Sequence, residues 1–401
     1  MSQDPADTQH AVITDEMVAE AQAMVGVWMR RDVHWPAQYE PISLHDIRRW
    51  AMYSAGDDNP LWCDADYGKR SIWGSTIAPP SFLYTVDTLI VAPGLRGVQW
   101  IHGGTRWTLH RAVRPGDTIV ARARVIRVQE KTGRRVARML VQTGEILFTN
   151  QRQELVARAE NDILRVPRAR SGQGIRQLGE AQEHKPTSYT PEQIAEIRDA
   201  YINEYRRGAQ PLYWEDVAVG DELPRIAKGP LTLVDLVGFY AGRRNVYNPL
   251  KLAFLERERH PANVYVSRET GIPIHPAAGH FDADIAREVG MPAAYDNGWM
   301  RVNWIAHLLT NWAGDWGFVH QLNVRVPLAN YVGDLTWCHG RVVRKSVDGP
   351  RHLVHLECWG INQRGERSTD GTATVRLPSK DPADQYFVEN QAPGSEQEHT
   401  T

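Results

Sequence analysis

The chain repeats itself. "PISLHDIRRWAMYSAGDDNPL" (41–61) matches "GPLTLVDLVGFYAGRRNVYNPL" (229–250), and each copy ends in Asn-Pro-Leu. Further on, "RAVRPGDTIVARARVIRV" (111–128) matches "VPLANYVGDLTWCHGRVV" (326–343), each running from a strand through a Gly-Asp turn into a second strand. Between these blocks each half carries one apolar stretch that reads as a helix, "PPSFLYTVDTLIV" (79–91) and "GWMRVNWIAHLLTNWAG" (298–314). In the second of these, Val302, Ile305, Leu309 and Trp312 recur at helical spacing. A duplication of this kind obliges both halves to adopt one architecture.

The strands alternate. In 117–128, Ala121, Ala123 and Val125 oppose Arg122 and Arg124; in 321–326, Leu322, Val324 and Val326 do the same; 352–359 follows suit. Period-two alternation with one wet face marks antiparallel sheet. Each half therefore orders as a helix-start motif, one long buried helix and a meander of strands, an α+β architecture. Residues 15–31 read as a helix with an acidic start and a basic end, and 190–208 as a connecting helix after the Gly/Ser/Pro-punctuated stretch 168–188. The expected units are an N-terminal domain (1–165), a linker with its helix (166–210), a C-terminal domain carrying the site (211–380) and a disordered tail (381–401).

Composition narrows the function. A net charge of −2 over 401 residues, with both signs interspersed, argues against nucleic acid and against an anionic membrane surface. Cys63, Cys338 and Cys358 are odd in number and unpaired in spacing, as in a reducing cytosol. The polar, acidic start and the lack of an apolar run near ~20 residues suit a cytoplasmic protein. The 14 tryptophans read first as core and second as the walls of a roomy apolar pocket.

"SAGDDNPLWCDADY" (54–67) resembles the signature of MaoC-like and (R)-specific enoyl-CoA hydratases: Gly-Asp-x-Asn-Pro-Leu-His-x-Asp-x-x-x-Ala, then a His-Gly opening the central helix. The resemblance covers roughly 40–160 and 213–378, in the two-domain form with an N-terminal FAS1-like dehydratase domain. It implies a tandem (double) hot-dog fold, each half a long helix wrapped by antiparallel sheet. It also implies an Asp–His pair that activates water and a helix-start glycine whose N–H meets the thioester carbonyl.

The first half keeps Asp57, but Trp62 stands at the His position and "APPSF" (78–82) offers Pro80, which has no N–H. That half reads as degenerate, with Asp57, Asn59 and Trp62 as substrate-contacting residues of an acyl pocket. In the second half Lys251 follows "YNPL" (247–250), and about thirty residues intervene before "HFDADIA" (280–286). "NGWM" (297–300) then supplies Gly298. By the resemblance His280 is the acid/base and Gly298 the oxyanion donor, while His275 falls on the catalytic Asp position. Asp282, His275 and Asn248 are candidate partners of His280, with Asp282 also suited to cap the next helical turn. Tyr295, Trp299 and Arg268 are expected at the substrate, and Arg257, Arg259 and Arg268 of the charge-rich insertion 251–279 could face coenzyme A phosphates.

The expected activity is reversible hydration of a trans-2-enoyl-CoA, or dehydration of a 3-hydroxyacyl-CoA, in fatty acid or steroid side-chain metabolism. No cofactor is expected beyond the coenzyme A of the substrate, and a homodimer is the guess for assembly. Two alternatives stay open: a non-catalytic acyl-CoA-binding or scaffold protein, and a non-haem iron enzyme using His280 and Asp282.

Overall fold

The computed structural model describes residues 12–29, 40–132, 138–167, 187–243, 250–259, 261, 264–267, 270–288 and 291–381. Helix α1 (Asp15–Ala23) leads to a two-residue strand β1 (Trp28–Met29). Helices α2 (Leu44–Arg49), α3 (Pro60–Cys63) and α4 (Ala65–Arg70) precede the meander β2 (Gln99–Leu109), β3 (Val120–Lys131), β4 (Met139–Thr149) and β5 (Leu155–Val166). Helix α5 (Pro191–Ile202) connects to β6 (Ile226–Lys228), α6 (Leu233–Ala241) and α7 (Leu250–Arg259). The short pair β7 (Tyr265–Val266) and β8 (Pro273–Ile274) and helix α8 (Ala283–Glu288) lead to the long helix α9 (Gly298–Ala313). Strands β9 (Phe318–Arg325), β10 (Thr336–Asp348), β11 (Arg351–Asn362) and β12 (Arg367–Leu377) close the chain.

One antiparallel sheet holds ten of the strands in the order β1-β3-β4-β5-β2-β9-β12-β11-β10-β6. Its two halves are copies of one meander, which meet where β2 pairs with β9, Thr105 opposite Val324 and Trp107 opposite Leu322. This is the expected double hot-dog of the α+β class. Alternation does what the sequence predicts: Ala121, Ala123 and Val125 are buried on β3 while Arg122 is exposed. At the seam Gly104 has no room for a side chain, since a Cβ would stand 2.8 Å from the Val324 carbonyl.

The second half keeps its long helix. α9 has Asn297 as its cap, the Asn297 side chain accepting from the Trp299 N–H, and it is buried along nearly its whole length. The first half does not, which corrects the expectation for 79–91. There Phe82–Thr85 makes one 3-10 turn and no regular helix follows. Pro79 and Pro80 supply no N–H groups. Further on, the Asp87 carboxylate takes the Leu89 N–H at 2.7 Å and Leu89 adopts a left-handed φ of 58°. Burial is achieved without the helix: Phe82, Leu83, Tyr84 and Val86 are all 2% exposed or less.

Three smaller expectations also shift. The helix over 15–31 stops at Ala23, because Gly26 turns with φ 85° and the chain enters β1. The insertion 251–279, read as a loop excursion, contains α7 and the β7–β8 pair. The connecting helix spans Pro191–Ile202, started by a reciprocal Thr190–Gln193 cap. Most of the linker (168–186) and tail (382–401) lie outside the described residues.

Trp107 is the test of the seam. It is 1% exposed, sits opposite Leu322, and packs against Tyr84 and Phe148 at ring distances of 5.4 and 5.5 Å. Trp107→Ala should cost about 3–5 kcal/mol; an unshifted denaturation midpoint would show that the seam does not carry the fold.

Candidate active site at the start of the long helix

The start of α9 is built from both halves. Asn297 turns its Oδ1 to the Trp299 N–H and donates from Nδ2 to the Tyr240 hydroxyl at 2.9 Å. The Gly298 N–H that follows has no acceptor among the described residues. A free N–H at this end of a sixteen-residue helix is a ready acceptor site for negative charge.

His280 lies beside Tyr240, with ring centroids 6.1 Å apart, and packs on Tyr295 at 4.4 Å. Its Nδ1 is 2.9 Å from the Tyr295 carbonyl. A carbonyl can only accept, so Nδ1 carries the proton and Nε2 the lone pair. Burial lowers the His280 pKa below its ordinary value, against the opposing pull of the Tyr295 carbonyl and Asp296. The ring is therefore a neutral base near pH 7.

The residues expected around His280 are used locally. His275 caps the turn Pro276–His280 by accepting the Ala277 N–H at 3.1 Å. Asp282 accepts the N–H groups of Asp284 and Ile285, at 2.8 and 3.1 Å, at the start of α8. Neither carboxylate nor imidazole is turned to His280 by those bonds. Among the described residues no group of three or more His, Cys, Asp or Glu is placed to hold a metal, so the iron alternative finds no third ligand there. Asn248 and Arg268 lie outside the described residues. Trp299 is 3% exposed and stacks on Tyr84 of the first half, with centroids 5.4 Å apart. It joins the halves at this point. Arg257 and Arg259 end α7, with the Arg257 guanidinium over the Phe254 ring at 4.7 Å.

A residue that the sequence did not single out abuts the site. His102, on β2 of the first half, packs so close to Gly298 that a Cβ there would stand 2.4 Å from its Nδ1. Its Nε2 is 2.9 Å from the Thr105 hydroxyl, which itself donates to Asn161 at 2.8 Å. The one hydroxyl proton is thus committed, so His102 must donate from Nε2, and its buried Nδ1 is a bare lone pair with no partner among the described residues. Burial pushes the His102 pKa down to about 4, which keeps the ring neutral. Glycine at 298 is required by this contact, while its N–H would come from any residue but proline.

The first half's Asp57 has a different fate. Its Oδ2 accepts the indole N–H of Trp62 at 2.8 Å, and its Oδ1 accepts the Asn59 N–H at 3.0 Å. Asn59 in turn caps α3. Behind them lies a second unforeseen group: His307 Nε2 is 3.0 Å from Glu204 and 3.6 Å from Asp57, while its Nδ1 is 2.7 Å from Lys228 Nζ. Burial alone would raise the Glu204 carboxyl. The hydrogen bond and charge of His307, with Lys228 and Asn311, outweigh it and hold the group at about 2. One signal was there to read: Asn303, His307 and Asn311 fall four apart, a polar stripe on an otherwise apolar helix.

The comparisons with known proteins agree with this architecture. Residues 24–159 match the family described as FAS1-like, dehydratase domain region. A UPF0336 protein of Parafrankia sp. (strain EAN1pec) is 36% identical over 123 residues, 29% of this chain and 78% of that protein. The chain belongs to the family of this UPF0336 protein. Among solved structures, a MaoC-like dehydratase superposes with a TM-score of 0.58 at 18% identity, over 90% of this chain and 99% of its own. A conserved hypothetical protein of Mycobacterium tuberculosis, described as having a double hot-dog fold, does so at 0.51 and 12% identity, over 84% and 92%. No helix of the described residues is long and apolar enough to cross a membrane.

Two outcomes test this geometry. Gly298→Ala should lower stability by about 1–3 kcal/mol through overpacking on His102, and His102→Ala in the same chain should return more than half of that loss. Simple additivity in thermal denaturation would show that the two residues do not press on one another. Glu204 gives a pH signature. Its folded pKa is depressed, so its contribution is complete above the ordinary value of 4.5 and disappears as pH falls toward about 2. Glu204→Gln should flatten the acid denaturation profile across that window; an identical profile would count against the His307–Glu204 bond.

Proposed function

We propose that the chain catalyses reversible addition of water to a trans-2-enoyl-CoA, or the reverse dehydration of a 3-hydroxyacyl-CoA, at the start of α9. The observation that carries this reading is the pairing of a neutral, Nδ1-anchored His280 with an unengaged Gly298 N–H at a helix N-terminus, bridged through Tyr240 and Asn297. Hydration of a conjugated thioester needs a base for the water and a proton for the α-carbon. It also needs a donor for the charge that develops on the carbonyl oxygen. His280 Nε2 takes the proton from water and returns it to carbon, while the Gly298 N–H and the helix dipole receive the enolate-like oxygen. Tyr295 holds the His280 ring, and Asn297 holds the helix end. Such a reaction uses no cofactor beyond the coenzyme A of the substrate.

The match of residues 24–159 to a FAS1-like dehydratase domain supports the reaction type. The acyl group is left to experiment, and the insertion with α7 is the natural place for its specificity, as loops over a scaffold often are.

The test is turnover of a panel of trans-2-enoyl-CoA thioesters in H₂¹⁸O, parent protein beside His280→Ala. The expected result is label in the parent's product and a loss of about 10²–10⁴ in rate for the variant. Equal rates in the two proteins would remove His280 from the chemistry. Binding without label across the panel would favour the second reading, a non-catalytic acyl-CoA-binding protein, which the missing acid at position 275 recommends.

A further inference from the structure

An irregularity in β2 aims His102 at Gly298. Along a regular strand His102 and Thr105, three residues apart, would face opposite sides of the sheet. The pairing of β2 with β5 slips between His102, opposite Ile163, and Gly104, opposite Asp162, so Gly103 is one residue in excess. This bulge turns His102 to the face that carries Thr105, and their side chains meet at 2.9 Å.

The ring is then fixed at one nitrogen only. Thr105 gives its proton to Asn161 Oδ1, and Asn161 Nδ2 donates to the Leu89 carbonyl at 2.9 Å, which settles the orientation of the amide. His102 must donate from Nε2, and its buried Nδ1 lone pair is left without a donor among the described residues. Gly298 shows where that lone pair points. A Cβ on this glycine would stand 2.4 Å from Nδ1 and 3.4 Å from both ring carbons beside it, Cγ and Cε1. Equal distances of that size put the point in the ring plane, on the lone-pair axis. The same point is roughly 2.5 Å from the Gly298 nitrogen by covalent geometry, so the bare acceptor and the free N–H are at most about 5 Å apart.

A buried acceptor without a donor is costly, and a ligand that brings the donor offsets the cost. Here a donor and an acceptor stand side by side and call for the complementary pair. A 3-hydroxyacyl thioester has it: a carbonyl oxygen that accepts and, two carbons along, a hydroxyl that donates. We propose that His102 Nδ1 accepts the 3-hydroxyl of a 3-hydroxyacyl thioester whose carbonyl oxygen rests on the Gly298 N–H. The inference rests on the acyl-CoA reading of this site, and it makes the first half a contributor to the chemistry of the second. Water adding to the double bond gives one proton to His280, which returns it to the α-carbon. It keeps the other as the 3-hydroxyl hydrogen held by His102. An apolar cleft walled by Trp62, Pro79, Pro80, Leu109 and Phe318 opens farther along the helix at Thr310, about 18 Å from Gly298 at 1.5 Å per residue. A ligand lodged there would not sense His102.

The test is isothermal titration with butyryl-CoA and each enantiomer of 3-hydroxybutyryl-CoA, in the His280→Ala background so that no ligand is consumed. One enantiomer should bind about tenfold more tightly than butyryl-CoA, the effect of one neutral hydrogen bond. His102→Leu should abolish that preference, whereas a purely structural role would weaken all three ligands alike. His102→Asn, whose Oδ1 stands where Nδ1 does, should restore part of it. Equal affinities for the three ligands overturn the proposal, as does a hydroxyl preference that survives His102→Leu. If His102→Leu does not fold, the ¹⁵N signal of His102 Nδ1 decides: it should move with the hydroxy ligand alone, and an equal move with butyryl-CoA overturns the proposal. No binding of any ligand is the failure of the acyl-CoA reading, and the proposal falls with it; equal binding of all three leaves that reading standing.

Discussion

Everything in this molecule hangs on the antiparallel pairing of β2 with β9. Each meander alone would end in an open edge with unpaired backbone groups and half a hydrophobic face. Joined, they give one sheet whose inner face covers α9 and the irregular stretch after Phe82. The seam is also where the candidate site is assembled: β2 carries His102 against Gly298, and Trp299 stacks on Tyr84 across the same boundary. Neither half owns that site.

The buried ionisable group around His307 shows how the halves are held in register past the midpoint of α9. Glu204 comes from the segment after α5, Lys228 from β6, His307 from α9 and Asp57 from the first half. Burying such groups is costly unless each finds a partner. Here both nitrogens of the imidazole are engaged, and Lys228 also donates to the Ala55 carbonyl at 3.1 Å. The group occupies the space behind Asp57, which Trp62 closes from the cleft side. Polar chemistry and apolar cleft are separated by one indole ring.

Much of the fold was legible because duplication and alternation are local signals. Ala121, Ala123 and Val125 announced their strand, and Val302, Ile305, Leu309 and Trp312 announced α9. The first half's missing helix was not legible from its apolar content, since Phe82, Leu83 and Tyr84 are buried either way; Pro79-Pro80 and Asp87 decided the backbone. Family pattern pointed to His280 and Gly298 as candidates but was silent on His102, Glu204, Lys228 and His307. These residues meet only through tertiary pairing across the two halves, and a single histidine in a strand or helix carries no mark of what it will face.

The two ends of the sheet are unlike its middle. β1 has two residues and β6 three, against eleven to thirteen in most of the strands between them. At one end the Trp28 ring of β1 lies 4.6 Å from the guanidinium groups of both Arg122 and Arg124. At the other, Arg225 sits over the Trp337 ring at 3.9 Å, just before β6. Short, cation-guarded edges offer little ladder to an incoming strand. A duplicated sheet has thus spent its growth inside one chain, and has been made poor at recruiting more strands from outside.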